Sequence, residues 1–168
     1  MTDTRLFAEE QFYANNRSLY LELPEFDRGI RMARAMAKLG TRHRAEMPVI
    51  NDDDLPDLYA FIQAHGGSIQ RTKSRPRTLK PVQCQIYADR SISGTAKSGR
   101  RATIDFLHHK PILTDANGDI LDGHHRWLTA CTIDPYMVLP QHQIANITLA
   151  ELLPDLLKFS DARHGRNL

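Results

Sequence analysis

Apolar residues recur at helical intervals in the first third of the chain. They mark one segment from about Leu6, which Pro24 interrupts, and a second over residues 26–39, which ends at Gly40. The second segment places arginine and lysine between its apolar positions, so it predicts an amphipathic helix with a basic face. That face either binds a partner or is the solvated side of a helix whose apolar side joins the core.

The middle of the chain mixes helical and strand-like patterns. Residues 47–50 predict a strand, and residues 53–65 predict a helix that ends at a glycine pair. An extended segment over residues 79–87, a hairpin over residues 111–121 with an Asn-Gly turn, and a strand within residues 136–145 follow. This order predicts an α+β domain with a small mixed sheet and flanking helices.

The last periodic segment begins at Thr148. Thr148 with Glu151 three residues later is a capping-box pattern, and the leucines that follow recur at helical spacing. These leucines form either a core face or the contact surface of a homodimer. Residues 160–168 are polar and are expected to form a frayed tail.

Basic residues are concentrated in one part of the chain, although the net charge is only +2 at pH 7. From residue 68 to residue 110 the only acids are Asp89 and Asp105, and residues 68–77 and 91–101 are expected to be basic loops. This asymmetry indicates a polyanion or phosphate-bearing ligand; solvated surface is the alternative, since few aromatic side chains lie among the charges. The residues that would contact nucleic acid are Arg71, Lys73, Arg75, Arg77, Lys97, Arg100 and Arg101.

The chain carries no sequence signal for membrane insertion or export. No apolar run approaches the roughly 18 residues of a membrane span, and the first residues lack the form of a signal peptide. A cytoplasmic protein without membrane contact is therefore expected. Cys84 and Cys131 lie in apolar segments and are expected to be free buried thiols. The histidine pairs lack the spacing of a structural zinc site.

The strongest chemical signal is the stretch over residues 122–130, which follows the predicted hairpin. Asp122 and Gly123 end a strand, and a helix is expected directly after them, with Trp127 on its apolar face. Backbone N–H groups at a helix start lack intrahelical partners and carry partial positive charge. Gly123 lets an anion approach closely, and the His-His-Arg that follows adds side-chain donors. The pattern predicts a phosphate site.

Residues 120–127 with Ala130 resemble the D-G-H-H-R-x-x-A signature of the ParB/sulfiredoxin superfamily, in the branch of ParB-like nuclease domains. Residues 79–87 are similar to the first conserved box of that family. The resemblance covers less than half of the chain. It implies a ParB/sulfiredoxin-like domain over residues 47–159, an N-terminal helical extension over residues 1–46, and a strand-to-helix motif that lies against nucleotide phosphates.

The resemblance also implies roles for individual residues. The catalytic candidates are Asp122, His124 and Arg126. The candidates for binding nucleotide phosphates are Gly123, His124, His125, Arg126, Lys80, Gln83 and Gln85. Asp122 is also the candidate ligand of a Mg²⁺ ion that arrives with ATP, ADP or CTP, because magnesium usually needs only one or two protein carboxylates.

Three functions remain open on these residues. The first is a nucleoside triphosphate hydrolase or phosphotransferase that uses Mg²⁺. The second is a DNA-associated ParB-like protein, either a nuclease or a nucleotide-gated DNA binder. The third, a free serine kinase, fits less well, because Gln83 and Gln85 stand where a glutamate base is expected and a carboxamide cannot take a proton. Sulfinic acid reduction is disfavoured, since His124 stands where those enzymes place a cysteine.

Overall fold

The computed structural model describes residues 26–84, 86 and 98–165. Its helices are α1 (Phe26–Ala37), α2 (Leu55–Ala64), α3 (Arg100–His109), α4 (His124–Ile133) and α5 (Leu149–His164). Its strands are β1 (Ser68–Ser74), β2 (Lys80–Pro81), β3 (Ile112–Asp115), β4 (Asp119–Asp122) and β5 (Leu139–Ala145). Short 3₁₀ turns lie at Arg44–Glu46, Asp52–Asp54 and Pro76–Thr78. The helix predicted over residues 26–39 is confirmed as α1; the segment from Leu6 lies outside the described residues.

The strands form one mixed sheet in the order β1-β5-β3-β4-β2. β1 is antiparallel to β5, with Ser68 opposite Ala145, and β5 runs parallel to β3. β3 and β4 form the predicted antiparallel hairpin, with an irregularity between Leu113 and Thr114, and β4 is parallel to the short β2. The predicted α+β class, with a small mixed sheet and flanking helices, is confirmed.

Helices cover both faces of this sheet. On one face α1, α3 and α4 bury an apolar cluster that includes Ala33, Leu107 and Trp127. On the other face α2 and α5 bury a second cluster that includes Leu58 and Leu152. Each large apolar side chain that is fully buried contributes roughly 1.5–3 kcal/mol. α1 and α4 pack into the same apolar cluster, and α4 begins at the predicted phosphate site. Part of the segment expected to be an N-terminal extension therefore belongs to the core that supports this site.

Asp115 fixes the hairpin that leads to this site. Its buried carboxylate accepts hydrogen bonds from the backbone N–H groups of Asn117 at 2.9 Å, Asp119 at 3.0 Å and Leu149 at 2.9 Å. Gly118 completes the turn with a φ of +82°, in the left-handed region that glycine adopts without strain. The carboxylate thereby joins the β3–β4 turn to the start of α5 and holds β4 in place.

The predictions for residues 68–74 and for residues 47–50 are wrong. Residues 68–74 are not part of a basic loop but form the edge strand β1, because all seven pair with β5 while the charged side chains project to solvent. Residues 47–50 form no strand. There the backbone N–H and C=O groups of Val49 bond the Ser160 hydroxyl, at 2.6 and 3.3 Å, instead of a neighbouring strand.

Helix α5 begins at the predicted capping box, where the Glu151 N–H donates to Thr148 Oγ1 at 3.2 Å. Of the two interpretations of its leucine face, the structure shows the core face. The leucines buried there are Leu149, Leu152, Leu153 and Leu156. The helix continues to His164, into the segment expected to be a frayed tail.

Candidate phosphate site

Gly123 alone makes the turn between β4 and α4. It has a φ of +108°, which a residue with a Cβ adopts only with strain. A Cβ added there would also lie 3.1 Å from Nη2 of Arg126. Gly123 has no side chain that could cap the helix, and the N–H groups of a first helical turn point out of its N-terminus. The predicted strand–glycine–helix arrangement is confirmed.

A cavity of about 240 Å³ opens at this helix start. The β4–α4 junction over residues 121–125 lines one part of it, and residues 47–51 line another. Arg44 and Gln83 complete the lining. The cavity therefore combines a helix N-terminus with the residues Arg44, Asn51 and Gln83, whose side-chain types are suited to an oxyanion.

His124 is buried at the start of α4, with 5% of its surface exposed. Burial lowers the pKa of its imidazole to about 3, and the positive charges of His125, Arg44 and Arg126 act in the same direction. The backbone N–H of Gln83 lies 3.3 Å from Nε2 of this ring and donates to it. His124 is therefore a neutral imidazole that accepts at Nε2, and its proton lies on Nδ1.

Asp122 lines the cavity at the end of β4 and keeps 26% of its side chain exposed. Burial raises the pKa of its carboxyl above the ordinary value, and this effect exceeds the opposing effects of Arg126 and Lys110. The ionised carboxylate is therefore under-stabilised by its protein surroundings. A cation that entered the cavity would stabilise the ionised form.

Arg126 lies behind Asp122 and is not among the residues that line the cavity. Its Nη1 donates to the carbonyl oxygens of Lys110 at 3.0 Å and Pro111 at 2.7 Å, and its Nη2 donates to Oδ2 of Asp122 at 3.2 Å. These contacts fasten α4 to the segment between α3 and β3. They make Arg126 a positioning residue for Asp122; direct contact with phosphate stays a prediction.

Of the other residues predicted to bind phosphate, one lines the cavity and one lies elsewhere. Gln83 lines the cavity. Lys80 is exposed on β2 and lines a separate cavity of about 570 Å³ beside the end of α1, so the structure does not bring it to the phosphate site. Gln85 lies outside the described residues.

The described residues among those predicted to bind nucleic acid also lie apart from the cavity lining. Arg71 and Lys73 are exposed on β1, and Arg75 and Arg77 are exposed in the turn that follows it. The guanidinium carbon of Arg77 lies 4.6 Å from the ring centroid of Tyr136. Arg100 and Arg101 are exposed at the start of α3, and Lys97 lies outside the described residues.

Sequence reasoning missed two polar residues of the cavity lining, Arg44 and Asn51. Asn51 directly precedes the 3₁₀ turn at Asp52–Asp54, and its backbone N–H donates to Oδ2 of Asp54 at 2.8 Å. Arg44 lies in the run Arg42-His43-Arg44, just before the expected domain boundary at residue 47. Three consecutive basic residues beside that boundary were the signal that could have indicated a phosphate ligand.

Comparison with known proteins does not assign this arrangement to a family. No protein-family model matches the chain, and neither the curated proteins nor the solved structures contain a match. Within the part of the chain that the structure describes, every helix is too short or too polar to span a bilayer.

Proposed function

We propose that this protein binds the phosphate groups of a nucleoside di- or triphosphate at the start of α4, and hydrolyses the nucleotide or transfers its phosphoryl group. The observation that carries the proposal is the cavity that is lined by both the start of α4, which has no side-chain cap, and Arg44. Backbone N–H groups at a helix start and a guanidinium are standard ligands of phosphate oxygens. The resemblance to the ParB/sulfiredoxin superfamily supports the same ligand, and a fold of that type is part of the proposal.

The size of the cavity limits what it holds. About 240 Å³ is below the roughly 300–1,000 Å³ of sites that enclose drug-sized ligands. We therefore place the β- and γ-phosphates inside the cavity and the base and ribose at its mouth. This placement predicts that affinity depends strongly on the number of phosphates and weakly on the identity of the base.

The side chains that line the cavity provide few oxygen donors for Mg²⁺. Among the described residues no group of three or more histidine, cysteine or acidic side chains is arranged to hold a metal ion. Asp122 and Asn51 line the cavity, and carboxylate and carboxamide oxygens suit Mg²⁺ that is already carried by phosphates. The ion would neutralise phosphate charge, and Asp122 is the residue that would hold it.

The protonation states limit the roles of the side chains. With a pKa of about 3, His124 does not carry a second ring proton near neutral pH and is therefore a poor proton donor. Its role is to position the loop at Gln83. Asp122, whose pKa burial raises, is the better candidate to position water or an acceptor hydroxyl beside the ion that it would hold. Arg126 orients Asp122. Catalysis would then rest on positioning and charge neutralisation.

Calorimetric titration with ATP, ADP, CTP and GTP in the presence of Mg²⁺ tests the proposal. Arg44→Gln should weaken binding by about tenfold to a hundredfold, because a charge-assisted hydrogen bond is lost. Arg31→Gln, on an exposed position of α1 outside the cavity lining, is the matched control and should bind normally. Equal affinity in the two variants, or no binding by the wild type, would contradict the site assignment.

A DNA-associated function is the second candidate, supported by the exposed row of cations on the edge strand. Arg71, Lys73, Arg75 and Arg77 lie within seven residues of one another and all face solvent. If they contact DNA phosphates, neutralising all four should reduce the slope of log affinity against log salt by about 3–4. If the fourfold variant and the wild type show the same salt dependence, this candidate is excluded. Formation of phosphoserine from serine and ATP would instead favour the kinase.

A further inference from the structure

Cys84 and His43 form a thiol–imidazole pair beside the phosphate cavity. Sγ of Cys84 lies 3.8 Å from Nδ1 of His43. The backbone fixes this pairing, because the Arg42 N–H donates to the Val82 carbonyl at 2.9 Å and the Cys84 N–H donates to the Arg42 carbonyl at 2.8 Å. Two chain segments are thereby held side by side, and the imidazole and the thiol meet without depending on a flexible loop.

The two cysteines of the chain differ sharply in environment. Cys131 is fully buried in α4, and burial raises the pKa of its thiol. Cys84 is only half-buried, contrary to the expectation of two buried thiols, and its partner His43 is exposed. A thiol that reaches solvent and touches an imidazole has the arrangement of a nucleophile with its base.

Charged residues flank His43 in the sequence. His43 stands between two arginines, Arg42 and Arg44, and the second of these lines the phosphate cavity. The nearest acid on this segment is Glu46, whose carboxylate accepts from the His43 backbone N–H at 3.1 Å. On the Cys84 segment the neighbouring Gln83 is uncharged. A protonated imidazole in contact with a thiol stabilises the thiolate form, and His43 is the group in that position.

The geometry points to Cys84 as a modification site, a nucleophilic thiol that His43 activates and that hydroperoxides oxidise. The thiol proton passes to Nδ1 of His43, and the thiolate sulfur attacks one oxygen of hydrogen peroxide. An S–O bond forms, the O–O bond breaks, and the departing hydroxide takes up the proton as water. The cysteine is oxidised to sulfenic acid and the peroxide is reduced, so the step needs no further reactant.

Alkylation of the native protein with iodoacetamide, quantified for each cysteine by mass spectrometry over a range of pH, tests this assignment. We expect Cys84 to react while Cys131 remains unmodified, and the Cys84 rate to reach half its maximum at a lower pH than an ordinary thiol. His43→Gln should slow Cys84 on the order of tenfold near neutral pH and should leave the rate in alkaline solution unchanged. His108→Gln, an exposed histidine on α3, is the matched control and should not change either rate.

Hydrogen peroxide with a sulfenic acid trap supplies the second readout. The trapped adduct should form on Cys84 in the wild type, diminish in His43→Gln and be absent in Cys84→Ser. If His43→Gln slows Cys84 equally at every pH, the histidine acts by packing and the assignment is wrong. Equal labelling of both cysteines, or an unchanged Cys84 profile in His43→Gln, would overturn it as well.

Discussion

Two carboxylates that are largely removed from solvent, Asp54 and Asp122, have opposite environments. Asp54 exposes 3% of its side chain and accepts hydrogen bonds from a backbone N–H at 2.8 Å, from Nε of Arg163 at 3.1 Å and from Nε2 of His164 at 2.6 Å. These bonds, the backbone bond first, hold the pKa of Asp54 below its ordinary value. Asp122 is bound by Arg126 at 3.2 Å, and burial raises its pKa.

The difference separates a structural carboxylate from a candidate functional one. The partners of Asp54 compensate for its removal from water, so the ion stabilises the contact between the end of α5 and the turn before α2. Burial of Asp122 is not compensated to the same extent, and Asp122 lines a cavity. Perturbed carboxyls of the second kind cluster at functional sites because a ligand supplies the missing charge.

The largest expected effect comes from exchanging each carboxylate for its amide. Asp54→Asn should lower the Tm markedly, because Arg163 and His164 lose their shared acceptor, and it should leave nucleotide turnover intact below that Tm. Asp122→Asn should leave the Tm unchanged or raise it, since the buried charge is removed, and should abolish turnover. Thermal unfolding and turnover of the two variants measure both effects; the same pattern in both variants would contradict the comparison.

A second large effect concerns pH. The folded protein keeps His124 neutral, since its pKa is about 3, whereas an unfolded histidine takes a proton near pH 6.5. The unfolding free energy should therefore fall as the pH drops from about 6.5 towards 3, with this residue contributing up to about 1.4 kcal/mol per pH unit.

Urea unfolding of the wild type and His124→Gln at a series of pH values isolates this contribution. The stability of the wild type relative to the variant should decrease on acidification, because only the wild type carries the buried imidazole. Asp122 acts in the opposite direction, since its raised pKa favours the folded state in acid, but it is present in both proteins and cancels. A constant difference across this pH range would show that the imidazole is not kept neutral by burial.

A smaller effect distinguishes the unfolding free energy lost to backbone strain from that lost to a side-chain contact at the site. Gly123 and Gly66 both have positive φ, but a Cβ at Gly66 would meet nothing within 4 Å. Gly66→Ala should cost about 1–2 kcal/mol from backbone strain alone. Gly123→Ala should cost more and should weaken nucleotide binding, because its Cβ displaces Arg126. Urea unfolding compares the two, and equal costs would mean that the Arg126 contact carries no energy.

The smallest effect is expected from Lys110, which is ion-paired with Asp52 at 2.8 Å. The pair is largely solvated, so Lys110→Gln should change the unfolding free energy by less than about 1 kcal/mol. It should raise the pKa of Asp122 further, because Lys110 is one of the charges that lower it. Carboxyl titration by NMR measures the shift, with Lys158→Gln as the control; an unchanged Asp122 titration would remove Lys110 from the site.

Several local features of the fold and of the candidate site could be predicted from the sequence. The Asn-Gly turn, the capping box at Thr148 and the strand–glycine–helix motif at Gly123 depend on neighbouring residues, and all three are confirmed. The cavity could not be predicted in the same way, because Arg44 and Gln83 reach it through tertiary contacts. The basic stretch after Ser68 was misassigned for the same reason, since only pairing with β5 makes it a strand.

The order of the acidic residues in the sequence did not indicate which aspartate makes structural contacts and which one lines the cavity. Three consecutive aspartates precede α2, and nothing in their order distinguishes Asp54, which the end of α5 binds from more than one hundred residues away. The pKa of Asp54 is lowered first by the backbone N–H of Asn51, three residues away, and then by His164 and Arg163, whereas burial raises the pKa of Asp122. The contacts with α5 and the burial of Asp122 follow from the fold and not from the local pattern.

The most direct test of the phosphate site is an NMR titration of backbone amides with Mg²⁺ and ATP, with adenosine as the ligand that lacks phosphate. We expect ATP to shift the amide signals of residues 123–126 and adenosine to leave them unchanged. The signals near Asp54, at residues 161–164, should remain in place and serve as the internal reference. Shifts confined to residues 71–77, or identical shifts with adenosine, would contradict a phosphate site at the start of α4.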